Sequence, residues 1–335
     1  MLLCEGAPRD LGTDQGLALR EAIRSACRLE PGWVERRLAR EVARDVARFY
    51  PQLAERTAGL ARGAGIRRLR AARLLARELA LPSERGSGGS PEKTTAGALR
   101  VAGGVAFGVT GSKSRSGPLL ARSFELPREA PSRLELRCSR PEGGYASVEV
   151  IVPELVAGLA GVNERGLAAL ATSVPSPEED ARPRCPAVLL VQECLQRFDT
   201  ADAAVEWCLA RPAGGRASVL LADASGALAG VLVRGPRRTV HAPDADVLLG
   251  VGRLDARTDL EKRLAREAPL GAEDALGVFA WHGEEGRAGD ATLCRHGGQR
   301  ATAGVVVLEP ATASLRFVQG PPCRSRPAAA RRLSL

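Results

Sequence analysis

The sequence predicts a layered α/β protein with mostly antiparallel sheets. Three observations carry this expectation. Apolar residues recur at helical spacing through the N-terminal quarter of the chain. Beyond a polar Gly/Ser/Pro stretch, the texture changes to short apolar runs broken by turns. Helical spacing then returns between two groups of strand pairs. Blocks of helices between turn-linked strand pairs argue for antiparallel pairing covered by helical layers.

The first helix fits Asp14 to Arg28, where Leu17, Leu19, Ala22, Ile23 and Cys27 fall near helical spacing. In the second, Val34, Leu38, Val42, Val46 and Phe49 recur among Arg and Glu. It ends at Tyr50-Pro51, because the residue before proline is biased out of the helical region. A further helix runs through Leu53 and Leu60, and another from Arg67 to Leu79. Between them, Gly59, Gly63 and Gly65 predict a sharp turn.

Pro82 to Lys93 (PSERGSGGSPEK) predicts a linker or exposed loop. Val101 to Val109 and Leu119 to Leu126 predict two strands around the turn from Gly111 to Gly117. Val148 to Val152 and Gly166 to Ala171 read as strands, and Ala187 to Phe198 and Ala201 to Leu209 as helices. Ser218 to Leu221 and Leu228 to Val233 form a hairpin pattern around Asp223-Ala224-Ser225-Gly226. Helices at Asp259 to Glu267 and Ala272 to Phe279 precede a closing strand pair, Gly304 to Leu308 and Ser314 to Val318.

Composition narrows the function classes. The 335 residues are 44% hydrophobic but only 3% aromatic, so Leu, Val and Ala must fill the core. A charged share of 26% excludes wholesale disorder. No apolar run approaches the roughly 20 residues of a membrane span. The opening MLLCEGAPRD lacks a basic start followed by an apolar stretch, so no signal peptide is expected and the location expected is cytoplasmic. The net charge is +9, yet only Lys93, Lys113 and Lys262 are lysines; the other 45 basic residues are arginines spread along the chain. Arginine clusters at Arg67, Arg68, Arg70 and Arg73 and at Arg324, Arg326, Arg331 and Arg332 lack the interleaved aromatics that stack on bases. Neither nucleic acid nor membrane is an expected partner. Eight cysteines show no CxxC spacing and read as reduced buried thiols. There is no GxSxG elbow, GxxxxGK[ST] loop or HExxH helix.

Four patches, in order along the chain, resemble one family. The first is Gly6-Ala7-Pro8-Arg9-Asp10-Leu11-Gly12 with Gly16. The second is Tyr50-Pro51-Gln52-Leu53, followed by Gly59-Leu60-Ala61-Arg62-Gly63-Ala64-Gly65. The third is Gly161-Val162-Asn163-Glu164-Arg165-Gly166-Leu167. The fourth joins Cys294-Arg295-His296, Thr302 through Leu308, and Gly320-Pro321-Pro322-Cys323. Together they are similar to the isopenicillin-N acyltransferase-like family (acyl-coenzyme A:6-aminopenicillanic acid acyltransferases) of N-terminal-nucleophile hydrolases. The resemblance implies an αββα sandwich of two antiparallel sheets between helical layers. It also implies a precursor that cuts its backbone before a cysteine. The freed α-amine, with a pKa of about 8, then serves as base for the thiol in amide or thioester acyl transfer or hydrolysis.

By the same resemblance, residues 1–81 are an N-terminal helical segment equivalent to the family's pro-region. Residues 82–95 are a linker, 96–323 the αββα domain, and 324–335 a disordered basic tail.

The sequence departs from the family where the chemistry should be. The nucleophile position falls on Gly104 and the following threonine on Val105. Glycine has no side chain that could attack. The family's "RN.D" strand reads Arg122-Ser123-Phe124-Glu125 here, and its Asn-His pair falls in Val247-Leu248-Leu249-Gly250-Val251-Gly252-Arg253, with neither residue present. His241 lies upstream. The reading is of a degenerate homologue that kept the fold and binds a small acyl or peptide-like ligand, or a partner. The alternative is an active divergent enzyme with Thr94 or Thr95 as nucleophile, exposed after the linker. Pocket candidates are Arg122, whose guanidinium suits a carboxylate, Ser123, Glu125 and Asn163. Asn163 equally suits a turn. Cys138 and Cys185 have no histidine nearby in sequence and read as buried thiols. His282, Cys294 and His296 with Asp290 could form a metal set, since Cys-x-His on a strand puts both side chains on one face. Zinc asks for four well-placed ligands and the family has a similar patch without metal, so neither a metal nor a cofactor is expected.

Overall fold

Residues 1–28, 33–79, 104–128, 134–173, 185–251, 256–284, 286–296, 300–324 and 331–335 are described by the computed structural model. Two sheets face each other. The first contains β1 (Leu2–Gly6), β4 (Glu135–Pro141), β5 (Ser147–Ile151), β6 (Ala160–Asn163), β7 (Ala168–Ser173), β8 (Arg216–Ala222), β9 (Leu228–Arg234) and β10 (Arg237–His241), in that spatial order. All its pairings are antiparallel except β1 with β4. The second sheet is antiparallel throughout. Its order is β11 (Val247–Val251), β2 (Val105–Val109), β3 (Leu119–Pro127), β12 (Arg300–Glu309), β13 (Ser314–Gln319) and β14 (Arg331–Ser334).

Period-2 alternation gives each strand of the second sheet two faces. Ala106, Leu120, Phe124, Val306 and Leu308 join the main core with the first sheet. Val105, Phe107, Leu119, Ala121, Val305 and Val307 pack against Leu260, Leu264, Ala275, Leu276 and Phe279. These come from α8 (Arg257–Glu267), α9 (Ala272–Val278) and the residue after it. Phe107 stacks on Phe279 with ring centroids 5.4 Å apart. The other face of the first sheet is covered by α6 (Val188–Arg197), α7 (Ala201–Ala210) and the N-terminal helices. The result is the expected four-layer αββα sandwich.

The N-terminal helices are α1 (Pro8–Ala18), α2 (Arg20–Ala26), α3 (Trp33–Phe49), α4 (Pro51–Ala64) and α5 (Arg68–Ala76). Val42, Val46, Tyr50, Leu53, Leu75 and Leu79 belong to the same core as the sheets, and β1 extends the first sheet. The helix expected over Asp14 to Arg28 instead begins at Pro8 and is broken at Leu19 into α1 and α2. Two further local expectations change. Gly59 and Gly63 do not make a turn but lie inside α4. An ideal β-carbon on Gly59 would stand 2.9 Å from the Thr13 nitrogen, and one on Gly12 would stand 2.8 Å from the Leu60 nitrogen. The four glycines Gly12, Gly16, Gly59 and Gly63 therefore let the backbones of α1 and α4 touch. Only Gly65 turns the chain, as a left-handed helix cap at φ +68°. Second, Arg331–Ser334, expected in an unstructured tail, pairs with Ser314–Phe317 at the sheet edge. Within that pairing Leu333 stands opposite Leu315 and packs against the main core, which no composition argument registers. No helix among the described residues is long and apolar enough to cross a membrane.

Candidate functional site

Gly104 immediately precedes β2 and is buried. Its φ is +127°, and an ideal β-carbon there would overlap the Ser123 carbonyl oxygen and lie 3.2 Å from the Ser123 hydroxyl. That hydroxyl accepts the Val105 N–H at 3.1 Å. Thr172 Oγ1 donates to the Gly104 carbonyl at 3.5 Å. The space a nucleophilic side chain would need is thus filled by β3. β11 flanks β2, with Gly250 opposite Ala106 and Val251 opposite Val105. Val247–Val251, part of the stretch where the resemblance leads one to expect an Asn-His pair, therefore borders β2. Val247-Leu248-Leu249-Gly250-Val251 contains no polar residue. Gly252 and Arg253 lie outside the described residues, as do Thr94 and Thr95 and the linker.

The pocket candidates do not form one cluster. Alternation along β3 sends Arg122 with Phe124 between the sheets, while Ser123 and Glu125 face the α8–α9 side. Arg122 is fully buried. Its guanidinium lies 4.1 Å from the Phe124 ring centroid and donates to the Ala171 carbonyl. Burial pulls it down to about 9, against Glu78 and Glu125, which hold it up. Arg122 also lines a cavity of about 50 Å³ with Leu159, Ser173, Val188 and Arg216. That volume admits a few waters or the end of a ligand.

Glu125 instead meets Arg295, with Oε2 3.2 Å from Nη1. Asn163 is spent in the β6–β7 turn. Its Nδ2 donates to the Leu195 and Phe198 carbonyls at 2.9 and 2.7 Å, and its Oδ1 accepts from the Arg165 and Leu167 amides at 3.1 and 2.9 Å. All four hydrogen-bonding positions of the amide are used, so Asn163 serves the turn and has nothing left for a ligand.

The thiols are quiet. Burial pushes Cys185 up to about 12 and raises Cys138, so both stay protonated and poorly nucleophilic near neutrality. His241 stands on β10, in the opposite sheet from Gly104, with Nε2 3.2 Å from Ser218 Oγ. Burial lowers its pKa. Ser218 is only 2% exposed. The pair was illegible in sequence because β9 separates the two strands in space and the residues are 23 apart.

A second polar cluster, also unannounced by the sequence, lies on the helical side of the first sheet. Arg137 Nη2 meets Glu149 Oε2 at 2.5 Å with both side chains fully buried. Gln15 Oε1 and Gln192 Oε1 accept from Arg137 at 2.5 and 2.7 Å. Gln192 and Ser147 donate to Glu149 Oε1 at 2.8 and 2.7 Å. Burial alone would raise the Glu149 carboxyl, but Arg137, Arg56 and these hydrogen bonds hold it below the ordinary carboxylate value. The network ties α1 and α6 to the sheet; a saturated pair with no open side has no room for a reactant.

No protein-family model matches the chain, and no curated protein matches it at a significant level. Among solved structures it is similar to penicillin V acylase from Agrobacterium tumefaciens, at 18% identity, covering 64% of this chain and 82% of that one, with a TM-score of 0.40. It is also similar to a mutant conjugated bile acid hydrolase from Clostridium perfringens, at 11% identity, 69% and 92% coverage and a TM-score of 0.39. A third is the Caenorhabditis elegans ortholog of N-acylethanolamine-hydrolyzing acid amidase, at 10% identity, 62% and 93% coverage and a TM-score of 0.43.

Proposed function

We propose that the chain is a catalytically silent relative of N-terminal-nucleophile acyltransferases and amidohydrolases, which binds an acyl or peptide-like ligand, or a partner, without turning it over. The observation that carries the reading is Gly104. The terminal-nucleophile reaction needs a side chain at the start of β2 and a free amine on the same residue. Here the residue has no side chain, and the Ser123 carbonyl and hydroxyl occupy the space for one. The neighbouring strand β11 adds no oxyanion donor from its described side chains.

The Arg122-lined cavity, at about 50 Å³, fits a terminal group rather than a whole acyl chain, which suits recognition of an end. The test uses N-acyl amides of graded chain length, including penicillin V, a conjugated bile acid and an N-acylethanolamine. Binding is followed by thermal shift and products by mass spectrometry in the same samples. The reading expects saturable stabilisation by some compounds and no product. Product formed at a rate proportional to protein, and lost on replacing Thr94 or Thr95, would replace this reading with the active alternative.

A further inference from the structure

We propose that His282, Cys294, His296 and Cys323 bind one zinc ion that staples the loop before β12 to the end of β13. One ligand atom from each of the four residues lies within 4.8 Å of the others. His296 Nε2 is 3.3 Å from Cys294 Sγ and 3.0 Å from Cys323 Sγ. Around a tetrahedral ion with metal–ligand distances of 2.0–2.3 Å, ligand atoms stand roughly 3.3–3.8 Å apart. The four side chains thus need only small movements to close on an ion.

Hydrogen bonding does not account for the cluster as well. An imidazole nitrogen carries one proton or one lone pair, so His296 Nε2 can properly serve one sulfur and not two. His282 Nε2 is buried with no hydrogen-bond partner. A central cation gives all four groups a partner. Two sulfurs and two imidazoles are a closed structural set for zinc, and too soft for magnesium or calcium.

The backbone explains how residues so far apart in sequence meet. The Cys294 amide donates to the Trp281 carbonyl at 3.0 Å, which lays His282 beside Cys294. The Thr302 amide donates to the Arg295 carbonyl and the Arg295 amide donates to Thr302 Oγ1, both at 2.9 Å, which ties the residue between Cys294 and His296 to β12. Cys294 and His296 meet across Arg295, with Sγ and Nε2 3.3 Å apart, while Arg295 itself reaches Glu125. Cys323 arrives on the 3-10 turn Pro322–Arg324 after β13. Asp290 is not part of the cluster: its Oδ1 accepts from Arg295 Nε at 3.0 Å. Binding releases the two thiol protons as the sulfurs become thiolates, and nothing is oxidised.

The experiment uses the full chain carrying no histidine tag, purified without chelator under reducing conditions. Zinc is measured by plasma mass spectrometry. The chain is then stripped with a chelator and titrated with Co²⁺. The expected results are one zinc per chain and, with Co²⁺, tetrahedral d–d bands with a thiolate charge-transfer band saturating at one equivalent. Cys323→Ser, at an exposed position, loses the stoichiometric zinc and weakens the charge-transfer band, and Cys294→Ser does the same; Asp290→Ala keeps both signals. A reduced, folded chain that takes up neither zinc nor Co²⁺ overturns the proposal. So does a Cys294–Cys323 disulfide in the native protein, seen as an intact mass two hydrogens lighter, or a Cys323→Ser variant that keeps its zinc.

Discussion

An ideal β-carbon on Gly104 would stand 2.9 Å from the Ser123 carbonyl carbon and overlap its oxygen, on a backbone at φ +127°. Strand β3 thereby closes the space that a side chain at residue 104 would need. Gly104→Cys cannot simply restore a reactive group, because the side chain must displace backbone. The expected result is destabilisation by about 3 kcal/mol, combining overpacking with left-handed strain, and no self-cleavage. Urea unfolding and intact mass of the variant check both parts.

The α1–α4 crossing gives a prediction with a built-in control. Helix propensity alone favours alanine over glycine by about 1 kcal/mol. At Gly12 and Gly59 the β-carbon would meet the facing helix backbone, so Gly12→Ala and Gly59→Ala should each destabilise by about 2 kcal/mol or more. Gly277 in α9 has nothing within 4 Å of its β-carbon position. Gly277→Ala should instead stabilise by about 0.5–1 kcal/mol. Thermal melts of the three variants read the signs, and equal signs would refute the close crossing.

Glu149→Gln leaves Arg137 and Arg56 buried without their carboxylate. Breaking a buried pair from one side costs about 3–5 kcal/mol. The folded carboxyl is held below its ordinary value, and the unfolded one titrates near about 4.3. Its contribution is therefore complete above the unfolded value and lost as pH falls through the folded value. The gap between wild type and Glu149→Gln should be constant from pH 8 down to about 5 and narrow in stronger acid. Denaturant midpoints across that range measure it; a gap that widens in acid would contradict the assigned sign.

Asn163→Ala should destabilise by about 3 kcal/mol, since it strands the Leu195 and Phe198 carbonyls and unties the β6–β7 turn. Ligand affinity of the surviving folded fraction should be unchanged. A variant of wild-type stability with lost binding would return Asn163 to the pocket.

Legibility followed the reach of each signal. Helices α3, α6, α7, α8 and α9 showed as local periodicity, and the β8–β9 hairpin showed through Asp223-Ala224-Ser225-Gly226. β1 escaped because Leu2–Gly6 is five residues long and pairs in parallel with β4, which leaves no turn beside it. β4 was missed with it. Gly59 and Gly63 have the composition of a turn, and only the facing glycines of α1 reveal a helix crossing. Along β3 residue types alone do not reveal faces, so Arg122, Ser123 and Glu125 resemble one pocket in sequence although the strand divides them. In the histidine–cysteine cluster, His282, Cys294 and His296 are legible in the sequence as part of a possible metal set. Cys323 is not, because only the β12–β13 hairpin brings it back.

The central claim is that no terminal nucleophile forms in this chain. The intact mass of the freshly purified protein under denaturing conditions tests it most directly. A single chain of 35.2 kDa is the predicted result. Two fragments, the larger beginning at Thr94 or Thr95 and accumulating in purified protein with proteases blocked, would contradict it and supply the nucleophile that Gly104 lacks.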